Sequence, residues 1–207
     1  MENNNKIKSY DGVTKIITNT GVEVTFLNIY EALEQENPRN VFLSGQLYIE
    51  DRLDTIISMY FGDDNNIRHS SILKFLKSRY CDFFSKIQFL SMLIEKYKIV
   101  DGKQEIVNFI ENKKIISGLK TIGEVRNSFQ HNLVYGEAFK NVIKGGHKFI
   151  FIDKKLDTCN DLKDLVKSFK EEVILLVGEL DKVMIKEFTT HKIDIETLKK
   201  ALTTPDN

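Results

Sequence analysis

Between Asn160 and Phe188 the apolar residues Leu162, Leu165, Val166, Phe169, Val173, Leu176, Val177, Leu180 and Met184 recur at spacings of three and four. A helix of about 3.6 residues per turn gathers such a set into one stripe, whereas a strand requires alternation by two. A stripe of that length is unstable in water, so other parts of the chain must cover it. The same period recurs upstream. Val41, Leu47, Ile49, Leu53, Ile56, Ile57 and Tyr60, bracketed by Pro38 and Gly62, predict a helix over about 40–61.

Beyond the loop chemistry of Gly62-Asp63-Asp64-Asn65-Asn66, further helices are predicted over Ile67 to Tyr80 and over Phe83 to Tyr97. The first is carried by Ile72, Leu73, Phe75 and Leu76, the second by Phe84, Ile87, Leu90, Leu93 and Ile94. Asp101-Gly102 breaks the pattern, Gln104 to Glu111 reads as a short amphipathic stretch, and a long helix is expected from Lys113 to about Val134. Two β excursions are expected. Val13–Ile17 and Val22–Phe26 flank a turn-forming cluster, and Gly145-Gly146 stands between the β-prone ends of the segment 142–152. The fold class expected is all-α: an antiparallel helix bundle over 38–190, with an N-terminal appendage over 1–37 and a tail over 191–207 that forms one more short helix.

Apolar residues make up 42% of the chain, enough for a sizeable core. Acidic and basic residues balance at 30 each, so there is no global basic field, and any nucleic-acid contact must be local. Cys81 and Cys159 are the only cysteines, which suits a reducing compartment better than a disulfide framework. The start is polar and the apolar run at Val173–Val177 is too short to cross a bilayer, so the expectation is a cytoplasmic protein without membrane contact. His69, His147 and His191 show no ligand spacing, and no glycine-rich phosphate loop precedes a helix; neither metal nor cofactor is expected.

On a wheel of about 100° per residue, Ile115, Leu119, Ile122, Val125, Phe129 and Leu133 fill one sector. Lys120, Glu124, Asn127 and His131 fall within roughly 60° of each other on the opposite side, and Arg126 lies at the boundary, where its stem can be buried while the guanidinium reaches outward. An ordinary solvated face, with Lys120 and Glu124 paired at i,i+4, would look the same. Arg126-Asn127-Ser128-Phe129-Gln130-His131 resembles the signature of the HEPN family, helical bundles carrying an Arg, often followed by Asn, and a His after four to six intervening residues. With Val41 to Phe61 and Asp82-Phe83-Phe84-Ser85-Lys86-Ile87, the pattern is similar to mannitol-repressor-like bacterial proteins, whose core is HEPN-like. Gln130 departs from that group, which commonly has Ala before the His. Leu133 stands where one HEPN toxin class carries the Tyr modified by a nucleotidyltransferase antitoxin, so that modification is not expected.

The resemblance implies a metal-independent endoribonuclease of a toxin-antitoxin or phage-defence system. Arg126 would stabilise phosphate charge, His131 would move a proton, and Asn127 would orient the imidazole or bind phosphate or sugar. One His cannot readily serve as base and acid in the same step, so a homodimer joining two motif helices in a shared cleft is expected. The alternative is a non-catalytic regulator or adaptor that binds a protein or RNA partner. Lys120 and Glu124 are assigned to RNA contact, and so, around Tyr80, Phe83 and Phe84, are Lys77, Arg79 and Lys86 beside Lys74.

Overall fold

A computed structural model of the chain describes residues 6–10, 13–17, 23–27, 29–62, 66–93, 95–100, 103–108, 110 and 112–190. It is mostly helical. In chain order the elements are β1 (Lys6–Tyr10), β2 (Val13–Ile17), β3 (Glu23–Leu27), α1 (Ile29–Leu33), α2 (Pro38–Gly62), α3 (Asn66–Leu76) and α4 (Phe83–Met92). There follow β4 (Glu95–Val100), β5 (Lys103–Asn108), α5 (Lys114–His131), α6 (Tyr135–Lys144), β6 (Lys148–Phe149), β7 (Lys154–Lys155), a 3-10 turn (Leu156–Thr158) and α7 (Leu162–Thr190).

The apolar stripe of α7 is buried along its length, from Leu165 and Phe169 through Val173 and Leu176 to Leu180 and Met184. Its main cover is α2, which also packs against α1, α3, α4 and α5 and so forms the centre of the bundle. Phe42 of α2 joins three helices, its ring centroid 4.4 Å from Phe129 of α5 and 4.9 Å from Phe169 of α7. On α5, Ile115, Leu119, Ile122, Val125 and Phe129 are buried as the wheel requires, but Leu133 is 90% exposed, because the helix ends at His131 and later residues leave its phase.

Several expectations are corrected. The helix from Phe83 stops at Met92, and residues 95–100 pair antiparallel with 103–108, replacing both the helix end at Tyr97 and the amphipathic stretch at 104–111. Asp101-Gly102 separates the last pair, Val100 and Lys103, which is the residue pair a two-residue hairpin loop prefers. The N-terminal hairpin is present, with Val13 opposite Leu27, and β1 adds a third strand to it. The helix from 67 ends at Leu76 instead of Tyr80.

The hairpin expected across 142–152 is displaced by α6. Ala138 and Val142 are buried one turn apart, and Tyr135, Phe139 and Ile143 pack beside them. Gly145-Gly146 terminates that helix: Gly145 N–H donates to the carbonyls of Asn141 and Val142, and Gly146 takes φ +66°, the left-handed conformation that glycine adopts without steric cost. Strand pairing then shrinks to 148–149 with 154–155. The short helix expected beyond Ile193 lies outside the described residues.

Candidate functional site

The site is built on α5. On its α4 flank, Gly123 lies under the rings of Phe83 and Phe84. On its other flank, Thr121 Oγ1 donates to the Lys148 carbonyl at 3.2 Å. Between these flanks lie the polar residues: Lys120 and His131 are exposed, Glu124 and Asn127 half-exposed. His131 is the last residue of α5.

Arg126 and His131 are five positions apart, which puts their Cα–Cβ directions about 140° apart around the helix and about 7.5 Å along it. The two side chains therefore leave α5 on different sides. Asn127 closes part of that gap, because its Oδ1 accepts a hydrogen bond from Arg126 Nη1 at 2.9 Å and turns the guanidinium toward the polar face. Arg126 Nε is buried without a partner, and among the described residues no carboxylate lies within ion-pair distance of this arginine. Burial pushes its pKa down and the charge of Glu50 partly restores it.

Glu124 is engaged, and not by Lys120: its Oε2 lies 2.8 Å from Nδ1 of His147, in the segment following α6. The i,i+4 pair that an ordinary solvated face would carry is thus replaced by a contact from α5 to the segment after α6. His147 carried no recognisable spacing signal, since its partner is distant in sequence. The segment around it is anchored twice more. The His147 carbonyl accepts from Leu156 N–H at 3.0 Å, and the buried Glu172 of α7 accepts the N–H groups of Ile150, Phe151 and Ile152 at 2.8, 2.9 and 3.1 Å.

At the His131 end, Arg39 of α2 donates through Nη2 to the Asn132 carbonyl and stacks over Tyr135, 4.9 Å from the ring centroid. Tyr135 donates to Asn37 Oδ1 at 2.8 Å, and the same oxygen accepts from Arg39 N–H at 2.9 Å. Arg39 carries no sequence signal for this place, since its contact spans 93 positions.

The expected basic cluster does not hold together. Lys86 is buried, its Nζ 2.7 Å from Glu50 Oε1 and 2.7 Å from Asp54 Oδ1, and is thereby removed from any surface contact with RNA. It belongs to the face of α4 that packs on α2 with Phe83, Ile87 and Leu90. Desolvation pulls its pKa down, but the hydrogen bonds and charges of Asp54 and Glu50 outweigh that and hold the ammonium above its ordinary value. Lys77 and Arg79 are exposed between α3 and α4. Lys77 lies 3.8 Å from Asp51, while Arg79 donates to the Tyr80 hydroxyl at 2.8 Å and rests over that ring.

Among the described residues, no helix is long and apolar enough to cross a membrane, and no three His, Cys, Asp or Glu side chains gather as a metal-binding group. No protein-family model, curated protein or solved structure matches the chain.

Proposed function

We propose that the chain is an HEPN-like, metal-independent endoribonuclease acting in a toxin-antitoxin or phage-defence setting, with Arg126, Asn127 and His131 as its working residues. One observation carries the reading: a guanidinium without a carboxylate counter-ion, turned by Asn127 toward the face that ends in an exposed His131. Arginines inside folded proteins are normally neutralised or left in open water, and one held half-buried with no carboxylate within ion-pair distance suits an anionic ligand. A phosphodiester would take two parallel hydrogen bonds from the guanidinium fork. His131 would accept the 2′-hydroxyl proton as that oxygen attacks phosphorus, producing a 2′,3′-cyclic phosphate.

The test is cleavage of single-stranded RNA in the presence of EDTA by wild type, Arg126→Ala and His131→Ala. Loss in both variants with a cyclic-phosphate product supports the reading; equal cleavage by all three, or abolition by EDTA, refutes it. Homodimerisation through the α5 face is a further part of the proposal. Light scattering at tens of micromolar should give twice the chain mass, and a monomer there removes the dimer.

A second reading is a regulator or adaptor resembling the mannitol repressor. Leu43 and Leu47, one turn apart on α2 and 40% and 53% exposed, favour it, since they give an apolar contact to a partner. Protein that is inert on RNA and co-purifies with one defined partner would bring this reading forward.

A further inference from the structure

We infer that His147 is the second proton carrier of the α5 site, oriented by Glu124, so that a single chain holds both imidazoles that RNA cleavage requires. The inference rests on the endoribonuclease reading but not on the dimer. It begins from the 2.8 Å approach of His147 Nδ1 to Glu124 Oε2, on the same face as Asn127 and His131. A carboxylate can only accept, so the approach is favourable when Nδ1 carries its proton, and Nε2 is left as the nitrogen free to exchange one.

The local backbone is shaped for this placement. Gly146 at φ +66° turns the chain out of α6, and the His147 ring folds back over Gly145, where an added Cβ would lie 2.5 Å from Cδ2 and 2.6 Å from Nε2. Thr121 and Leu156 grip the backbone on either side. The ring nevertheless remains 35% exposed.

Spacing fits the chemistry. Glu124 and His131 are seven positions apart, about two turns and roughly 10.5 Å along the axis, with Asn127 and the guanidinium of Arg126 between them. In-line displacement needs a base at the attacking oxygen and an acid at the leaving oxygen, each at a hydrogen-bond length of about 2.8 Å, on opposite sides of the phosphorus. With His147 held at Glu124 and His131 at the end of α5, the two imidazoles bracket a stretch of that order.

In the step itself, His131 takes the proton of the 2′-hydroxyl and the 2′-oxygen forms its bond to phosphorus. The bond from phosphorus to the 5′-oxygen breaks, its electron pair stays on that oxygen, and His147 Nε2 supplies the proton. The products are a 2′,3′-cyclic phosphate and a 5′-hydroxyl. One proton has been gained by His131 and one lost by His147, and exchange with water restores both.

The test compares a ribodinucleotide with uridine 3′-(4-nitrophenyl phosphate), whose leaving group departs without being protonated. His147→Ala should cut the ribodinucleotide about 10²-fold more slowly or worse, yet act on the nitrophenyl ester within a few-fold of wild type. Glu124→Gln and Gly145→Ala should follow the same pattern with smaller losses, whereas His131→Ala should lose both activities. His147→Ala matching wild type on the ribodinucleotide, while Arg126→Ala fails, overturns the role of His147 and leaves the endoribonuclease reading standing. Equal losses on both substrates overturn the acid role. Arg126→Ala and His131→Ala both matching wild type, or wild type inert on both substrates, refute the reading and this inference together.

Discussion

Glu172→Ala is expected to be among the costliest single changes in the bundle. The side chain is fully buried on α7 and accepts three backbone N–H groups from residues 150–152. Truncation leaves those donors without an acceptor at about 1–3 kcal/mol each, or about 3–9 kcal/mol in all. Ile150, Phe151 and Ile152 are only half-buried, so water can reach the vacated space, and the lower part of that range, about 3–5 kcal/mol, is expected. At about 2–4 °C per kcal/mol for a chain of this size, Tm should fall by roughly 6–20 °C.

The same group gives a pH signature. Burial raises the Glu172 carboxyl above 4.5, and the three N–H groups only partly oppose this. Between the unfolded and the higher folded value, the native state keeps a proton that the unfolded state releases, so this group's contribution to stability falls as pH rises through that window. The gap between wild type and Glu172→Ala should therefore narrow from acid toward neutral pH. Urea titrations at several pH values measure both effects, and hydrogen exchange should show lost protection at 150–152. A cost under about 1 kcal/mol at every pH would refute this role of Glu172.

Arg126→Ala and His131→Ala should each lower EDTA-resistant RNA cleavage by about 10²- to 10⁴-fold in single-turnover assays while far-UV circular dichroism stays unchanged. Lys86→Met should cost about 3–5 kcal/mol in urea unfolding, because Asp54 and Glu50 lose the cation that compensates their burial. Since the Lys86 pKa is raised above 10.5, its stabilising contribution is fully present below that value and lost as pH rises through the folded one, an alkaline decline that Lys86→Met should lack. Gly123→Ala places a Cβ 2.9 Å from Phe84 and 3.0 Å from the buried Phe83 ring, and thermal melts should show a loss of about 1–3 kcal/mol.

Residue order alone determined the long helices. In α2, α5 and α7 the apolar period persists over several turns, and burial follows it from Ile49 and Leu53 to Phe129 and Leu180, with Leu47 and Leu133 left exposed. Short elements were decided differently. Leu93 and Ile94 extend a helical period into a segment where 95–100 and 103–108 pair as strands, and Gly145-Gly146, which reads as a hairpin turn, instead follows the helix that buries Ala138 and Val142 one turn apart. Over ten residues or fewer, one turn signal competes with one or two apolar repeats, and packing arbitrates.

The candidate site divides along the same line. Arg126, Asn127 and His131 were legible because they share one helix and local spacing fixes their phase. His147 at Glu124, Arg39 at Asn132, and Lys86 between Glu50 and Asp54 join residues from different elements, where sequence separation carries no distance information. Only the packing of α4 and α6 on either side of α5 decided which charged groups meet there and which are buried: a lysine within hydrogen-bond reach of two carboxylates is stable inside the bundle, and without them it would have to face water.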